Sequence, residues 1–416
     1  MRDATAYALG ERAPSRVAEP ADDAELAATL RECDERGDAV VLFGGGTLQR
    51  AAAPPRRFDV AIDLRSLRGI VAYEPSDLTI SVRAGTSLDE LSKTLLAHRQ
   101  FLPIDAPSPR RGTVGGALAA GWGGPRRATY GLPRDLVIGS TIALSDGTLA
   151  KAGGMVVKNV SGYDMSKLYA GSLGTLGALT ILNFKTLPAP QVQRAAVAAL
   201  PEGTHERAVA HVREIAIEPA MALEIGGFSE IDGRDGIDGR LVLLFEGSAA
   251  VVERATRDLR SGLGSAGVPA TTIIDRGAAD VLQRAIDACV APLDGGSITY
   301  RLRGSAGDTY VRARLAAALA ATHELRCESI GDLRSGDVTL RVSPSGDRTF
   351  EQAAIPFDDD LHEAFSRATL LHAPDSLWGK LDAWGKPPEG IETMRSIKAR
   401  FDPRGTLAPG RFVGGI

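Results

Sequence analysis

The chain has 416 residues, 44% of them hydrophobic and 24% charged, an ordinary globular composition spread over too much length for one core. Its 48 basic and 52 acidic side chains leave a net charge of −4, which removes any bulk electrostatic case for nucleic acid or an anionic membrane surface. No apolar run approaches the roughly 18 residues of a membrane-spanning helix, and Cys33, Cys289 and Cys327 are too few and too dispersed to furnish four thiolates for a zinc or iron–sulfur site.

These cysteines read as reduced thiols. The six histidines show no H-x-H or H-E-x-x-H spacing, so no protein-bound metal is expected. The N-terminal MRDATAYALGERAPS lacks an apolar signal core, and a cytoplasmic location is the expectation.

Residues 22–36 place Leu26, Leu30 and Cys33 at helical spacing behind an acidic start, with Gly37 as the stop. A short strand, Ala39–Phe43, then runs straight into Gly44-Gly45-Gly46-Thr47. Strand-then-glycines is the order of a dinucleotide fold, but that fingerprint needs a helix to open at the loop, and Pro54-Pro55 stands only eight residues past the last glycine. The alternative is a nest, in which successive backbone N–H groups of the loop face the phosphate oxygens.

From Phe58 to Ser81 two or three short strands alternate apolar and polar residues (VAIDL, GIVAY, LTISV), with a turn at Glu74–Asp77. Ser87 and Glu90 have capping-box spacing for a helix over Leu88–His98. The loop LPIDAPS (102–108) leads into the most glycine-dense stretch, Gly112–Pro188. Three clusters occur there, Gly112/Gly115/Gly116, Gly121/Gly123/Gly124 and Gly171/Gly174/Gly177. Each alone reads as tight turns; with Gly44–Gly46 they favour a long, phosphate-bearing cofactor lying along the backbone. Leu136–Leu144 and Thr148–Ala150 read as a hairpin, and Leu176–Leu187 as one strand.

After Pro188-Ala189-Pro190 strands are expected at 221–228, 240–247, 271–275, 297–304 and 337–344, with helices over Ala249–Leu263, Ala278–Cys289 and Thr309–Thr322. That order gives antiparallel strands with helices on one face, ferredoxin-like and with a hint of duplication. Residues 394–412 read as a short helix and a turn-rich tail that is ordered only by docking back. The expected division is 1–190, 191–375 and 376–416.

Four stretches, FGGGT (43–47), GTVGG (112–116), KNVSGYDMSKLYAGSLGTLGALT (158–180) and FDPRGTLAPGRF (401–412), carry a resemblance to the vanillyl-alcohol-oxidase, or PCMH-type, FAD-binding family. Gly124-Pro125-Arg126-Arg127, Gly131, Arg134-Asp135, Lys158-Asn159-Val160 and Gly162-Tyr163-Asp164 make it most similar to the smaller FAD-binding subunits of bacterial glycolate oxidases. The resemblance is strong over residues 20–190, moderate over the last 20, and rests on length and pattern alone between them. It implies an α+β chain: a PCMH-type FAD-binding domain of two α/β subdomains, a ferredoxin-like antiparallel β/α cap domain, and a C-terminal tail that docks back.

The resemblance further implies that Gly44, Gly45, Gly46, Thr47 and Leu48 wrap the FAD pyrophosphate. Pro107, Ser108, Gly112, Thr113, Gly115 and Gly116 would lie along the ribityl chain and flavin, with Ala119 and Gly121 beside them, and Gly174, Gly177 and Leu179 would hold the adenosine half. Members that attach flavin covalently use a histidine or cysteine near these loops; none occurs at 43–53 or 112–124, so FAD is expected to be non-covalent. No catalytic residue and no metal ligand is nominated, because no histidine stands in a family base motif. Arg126 and Arg127 are candidates for a substrate carboxylate or a partner, with pairing to Asp135 as the alternative. Lys158 either neutralises phosphate or is simply solvated, and Tyr163, Asp164 and Lys167 read as a bracing turn and helix. The implied function is that of an FAD-binding subunit of a glycolate oxidase complex, working with a catalytic FAD subunit and an iron–sulfur subunit, in the cytoplasm or at the inner face of the membrane. The alternative is an autonomous FAD-dependent D-2-hydroxyacid dehydrogenase acting on lactate or glycolate.

Overall fold

Asp22 opens the first helix, α1 (Asp23–Arg36), by accepting from the N–H groups of Ala24 and Glu25 at 2.9 Å, and Gly37 closes it at a φ of 72°. Its apolar stripe, Leu26, Leu30 and Cys33, is fully buried against Val40, Val60 and Ile62, which for each leucine is worth about 2 kcal/mol. Those partners belong to a parallel three-stranded sheet, β1 (Arg16–Ala18), β2 (Val40–Phe43) and β3 (Val60–Asp63), in the order β1-β3-β2. The computed structural model describes residues 3–156, 162–227, 239–268, 271–290 and 296–416.

A second sheet in the same unit is antiparallel, in the order β4-β5-β9-β7-β8, from β4 (Ile70–Glu74), β5 (Thr79–Arg83), β7 (Val137–Ala143), β8 (Leu149–Gly153) and β9 (Ala178–Lys185). The single strand expected over Leu176–Leu187 is in fact two. It breaks after β9, and β10 (Leu187–Pro188) leaves the sheet to pair with β6 (Gln100–Phe101). Helix α2 (Leu88–Leu96) is capped by Ser87, whose Oγ accepts from Glu90 N–H at 3.1 Å. It stops two residues short of His98, whose ring lies edge-on to Tyr73. Helix α3 (Val114–Ala119) follows; α4 (Arg127–Tyr130) belongs to the second unit, and α5 (Pro133–Leu136) and α6 (Met165–Tyr169) return to the first.

The units are residues 1–123, 131–189 and 386–416 for the first and 124–130 with 190–385 for the second. Compared with the expected division, the second unit gains the short excursion at 124–130 and keeps 376–385.

The second unit is one eight-stranded antiparallel sheet, ordered β14-β11-β13-β12-β16-β17-β15-β18. Its elements are β11 (Val192–Ala199), α7 (His205–Glu214), β12 (Met221–Gly226), β13 (Arg240–Gly247), α8 (Ala249–Ser265) and β14 (Thr271–Ile274). After α9 (Ala278–Ala288) come β15 (Ile298–Leu302), α10 (Thr309–Thr322), β16 (Leu325–Asp332), β17 (Val338–Pro344), α11 (Phe350–Ala364) and β18 (Ala368–His372). Each half is β-α-β-β-α-β, so the duplication is real, and the halves join edge to edge through β12 and β16. Sequence reading missed β11, β16, β18, α7 and α11. The first half packs α7 and α8 on alternate residues of its strands, Ala222 on β12 and Leu241, Leu243 and Phe245 on β13 among them.

The tail completes the first unit. Val40 N–H donates to Thr406 O and Ala408 N–H to Val40 O, both at 2.7 Å, so Leu407 pairs in parallel with the open edge of β2. The last helix, α12 (Ile391–Phe401), supplies Lys398, whose ammonium reaches Thr175 O at 2.8 Å, Leu407 O at 2.7 Å and the buried Asp402 carboxylate at 2.5 Å. Asp402 also accepts from the Thr406 and Leu407 N–H groups at 3.0 and 2.8 Å.

Removing one partner of such a buried pair strands the other. Asp402→Ala is expected to lower the unfolding free energy of the first unit by about 3–5 kcal/mol in chemical denaturation; a loss below about 1 kcal/mol, the worth of a surface pair, would show that the clasp bears no load. Acid stability tests Asp63 at the end of β3. Burial opposes its ionisation, but hydrogen bonds from Arg65 and Tyr7 outweigh burial and hold its carboxyl below the usual range. Its contribution is therefore present above the unfolded carboxylate pKa and lost as pH falls through the folded value. Asp63→Asn should flatten the stability-versus-pH curve below about pH 4.

Candidate functional site

β2 delivers Phe43 and then Gly44–Leu48 to the wall of a cavity of about 90 Å³ in the first unit. Thr113, Gly115, Gly116 and Ala119 come to it from α3 and its cap, Gly174, Gly177 and Leu179 from the approach to β9, and Arg411 from the tail. The two glycine loops touch backbone to backbone. A Cβ on Gly45 would stand 1.7 Å from Arg111 O, and one on Gly44 2.2 Å from Thr113 Oγ1. Only glycine permits that approach.

The loop's hydrogen bonding sets it apart. Among the described residues, the backbone N–H groups of Gly44, Gly45, Gly46, Thr47 and Leu48 have no acceptor within the protein. Backbone donors are normally paired, and a run of five left open in a cavity wall suits an oxygen-rich anion. Helix α3 offers no comparable set: Val114 N–H is spent on Thr86 O at 2.9 Å, Gly115 N–H on Ala84 O at 2.8 Å and Gly116 N–H on Thr113 Oγ1 at 3.2 Å. A cradle of free donors beside small residues fits a diphosphate, and a nest fits it better than a helix dipole does.

Positive charge enters from Arg411. The residue is 2% exposed, its guanidinium donates to Gln49 Oε1 at 2.6 Å and to Gln49 O, and burial draws its pKa down to about 10. Gln49 in turn donates to Leu42 O at 2.8 Å, tying the arginine to β2. Arg411 and Gln49 were missed in the sequence because nothing local marks them. The phrase PGRF was legible, but that its arginine folds back over 360 residues to the first loop was not.

Of the sequence-derived site residues, Gly44, Gly45, Gly46, Thr47, Leu48, Thr113, Gly115, Gly116, Ala119, Gly174, Gly177 and Leu179 are brought together at this cavity. Pro107, Ser108, Gly112 and Gly121 do not line it. Gly121, at a φ of 60°, has a structural reason for being glycine: a Cβ there would be 2.8 Å from Gly171 Cα. Gly112 O accepts from Leu88 N–H, joining its loop to α2. Lys158, Asn159 and Val160 lie outside the described residues.

Arg126 and Arg127 sit in the second unit, and their partners are not Asp135, which accepts from Leu132 N–H instead. Arg126 pairs with Glu246 at 2.9 Å, a carboxylate 1% exposed that also accepts from Tyr130 and Gln193 at 2.6 and 2.5 Å. Arg127 pairs with Asp337 at 2.7 Å and reaches Ser335 Oγ at 2.5 Å. Both guanidiniums hold residues 124–130 to the sheet of the second unit. Histidines stand singly beside carboxylates: His205 by Glu224 at 2.9 Å, His323 by Asp360 at 2.8 Å. Among the described residues no three His, Cys, Asp or Glu side chains gather as a metal site. The thiols are free, and burial pushes Cys289 up to about 11 and Cys327 up to about 12. No helix of the described residues is long and apolar enough to cross a membrane.

Residues 14–153 match the FAD binding domain family, so the first unit carries an FAD-binding domain. The chain is 40% identical over 159 residues to the glycolate oxidase subunit GlcE of Escherichia coli, a match that covers 38% of this chain and 45% of that subunit. It is 27% identical over 424 residues to a D-lactate dehydrogenase of Archaeoglobus fulgidus, covering 95% of this chain and 91% of that one. The crystal structure of p-cresol methylhydroxylase with substrate bound superposes with a TM-score of 0.72 at 13% identity, over 97% of this chain and 89% of that one, which establishes the PCMH-type fold.

The Gly45 approach makes a clean test. Gly45→Ala is expected to yield protein that neither purifies yellow nor takes up added FAD. Gly37→Ala, at a φ of 72° and with nothing within 4 Å of its Cβ, should cost about 1 kcal/mol of stability and keep its flavin absorbance.

Proposed function

We propose that this FAD-binding chain is the smaller flavoprotein subunit of a glycolate oxidase or dehydrogenase complex. In this reading it supports oxidation of glycolate to glyoxylate, and electrons leave through an iron–sulfur partner to quinone. The observation that carries the reading is the run of five N–H groups, Gly44–Leu48, unpaired among the described residues, in a loop within the stretch matched by an FAD-binding family. The partial likeness to GlcE, named a glycolate oxidase subunit, supports the subunit role and the substrate in this reading.

Bound FAD supplies the two-electron acceptor that conversion of a 2-hydroxy acid into its 2-oxo acid requires. The chain's own contribution is to hold the diphosphate on backbone donors, without a covalent link. Gly44–Leu48 would hold the phosphates, Thr113, Gly115, Gly116 and Ala119 would lie beside the cofactor, and Gly174, Gly177 and Leu179 would hold the adenosine half. No side chain in the second unit is put forward as a base, since no histidine there stands in a base motif.

A second reading, an autonomous D-2-hydroxyacid dehydrogenase, is favoured by the D-lactate dehydrogenase likeness along 95% of the chain. Purified alone, the chain should be yellow, release its flavin on denaturation, and fail to reduce a dye with glycolate or D-lactate. Activity should appear only with its catalytic and iron–sulfur partners. Robust turnover by the single chain would establish the second reading instead, and a flavin mass retained on the denatured polypeptide would overturn the non-covalent assignment.

A further inference from the structure

The matched FAD-binding region ends at residue 153, yet the cavity it frames is completed by a residue 258 positions further on. We infer that the C-terminal tail is a working part of the phosphate site, with Arg411 as the residue that recognises the dinucleotide's diphosphate and Lys398 as the residue that positions the tail and the opposite wall around it. This rests on the FAD reading of the cavity.

Three observations support it. Arg411 lines the same cavity as the unpaired amides of Gly44–Leu48, and it is buried, so its charge acts in a low-dielectric setting. Its position is fixed rather than adventitious: both of its terminal nitrogens reach Gln49, and Gln49 is held to Leu42 O in β2. A planar guanidinium with one edge so anchored is preorganised for phosphate oxygens. Burial, which lowers its pKa to about 10, leaves it charged at neutral pH, and a bound dianion would repay that burial.

Lys398 does the mechanical part. Its three donors go to Thr175 O, Asp402 and Leu407 O. Thr175 lies between Gly174 and Gly177 on one cavity wall, while Leu407 pairs with β2, the strand that delivers the other wall. One ammonium therefore sets the distance between the two sides of the site. A ligand that binds only when the tail is docked must, by linkage, hold the tail down.

The experiment titrates the full-length apoprotein with FAD by flavin fluorescence quenching, with riboflavin as the probe lacking a diphosphate. Arg411→Met should weaken FAD by about 10- to 100-fold, the loss of a charge-assisted hydrogen bond, and leave riboflavin binding unchanged; Arg411→Lys should recover part of the FAD affinity. In wild type, FAD should slow tryptic cleavage after Arg404. Equal FAD affinity in wild type and Arg411→Met would overturn the inference while leaving the FAD site intact. If the methionine variant does not fold, the proteolysis decides, because cleavage of the wild-type tail at the same rate with and without saturating FAD also overturns it. A wild-type chain that binds no FAD would mark failure of the cofactor reading itself.

Discussion

The contact on which the first unit depends is the packing of the first glycine loop against the turn that leads into α3. Gly44 and Gly45 lie against Arg111 and Thr113 at separations no side chain could share. That closeness brings the end of a parallel strand and the cap of α3 to one cavity, where the N–H groups of Gly44–Leu48 have no acceptor among the described residues. A dinucleotide fold of the helix-dipole kind would spend helix-terminal amides on phosphate. Here the corresponding amides of α3 are consumed by Thr86, Ala84 and Thr113, and the loop carries the task alone.

A three-stranded sheet with β2 at its edge is a weak platform for such a loop, because an edge strand leaves backbone groups unpaired on one side. The tail remedies this with two 2.7 Å hydrogen bonds to Val40 and with the buried Lys398–Asp402 pair. Arg404 and Thr406 add bonds to Asp34 at the end of α1, at 3.0 and 2.7 Å. Residues furthest apart in sequence are thus adjacent in the core, and the geometry of the glycine loop inherits the stability of the chain's last thirty residues.

The second unit solves a different problem with the same economy. Two β-α-β-β-α-β halves share one sheet, so each half leaves only one outer edge, β14 or β18. Two of its buried charged pairs, Arg126 with Glu246 and Arg127 with Asp337, secure a seven-residue excursion from the first unit's sequence. Adjacent arginines after a glycine loop suggested a ligand or a partner; in the folded chain each also has a carboxylate of its own unit.

How much was legible follows from the range of the forces involved. Local signals worked: α1 with its Asp22 cap and Gly37 stop, the hairpin of β7 and β8, the helix over Thr309–Thr322, and the glycine loop with most of the residues that gather beside it. Residues such as Leu325–Asp332 were missed because LRCESIGD mixes charge, cysteine and glycine without alternation; it is a strand because β12 and β17 flank it. By itself, then, the sequence determined the glycine loops, the periodic helices and the family likeness, since those are written in neighbouring residues. Tertiary structure alone decided that Arg411 reaches Gln49, that Lys398 spans two walls and that Arg126 answers to Glu246, because a buried charge chooses its partner by proximity in space, and no spacing along the chain records that.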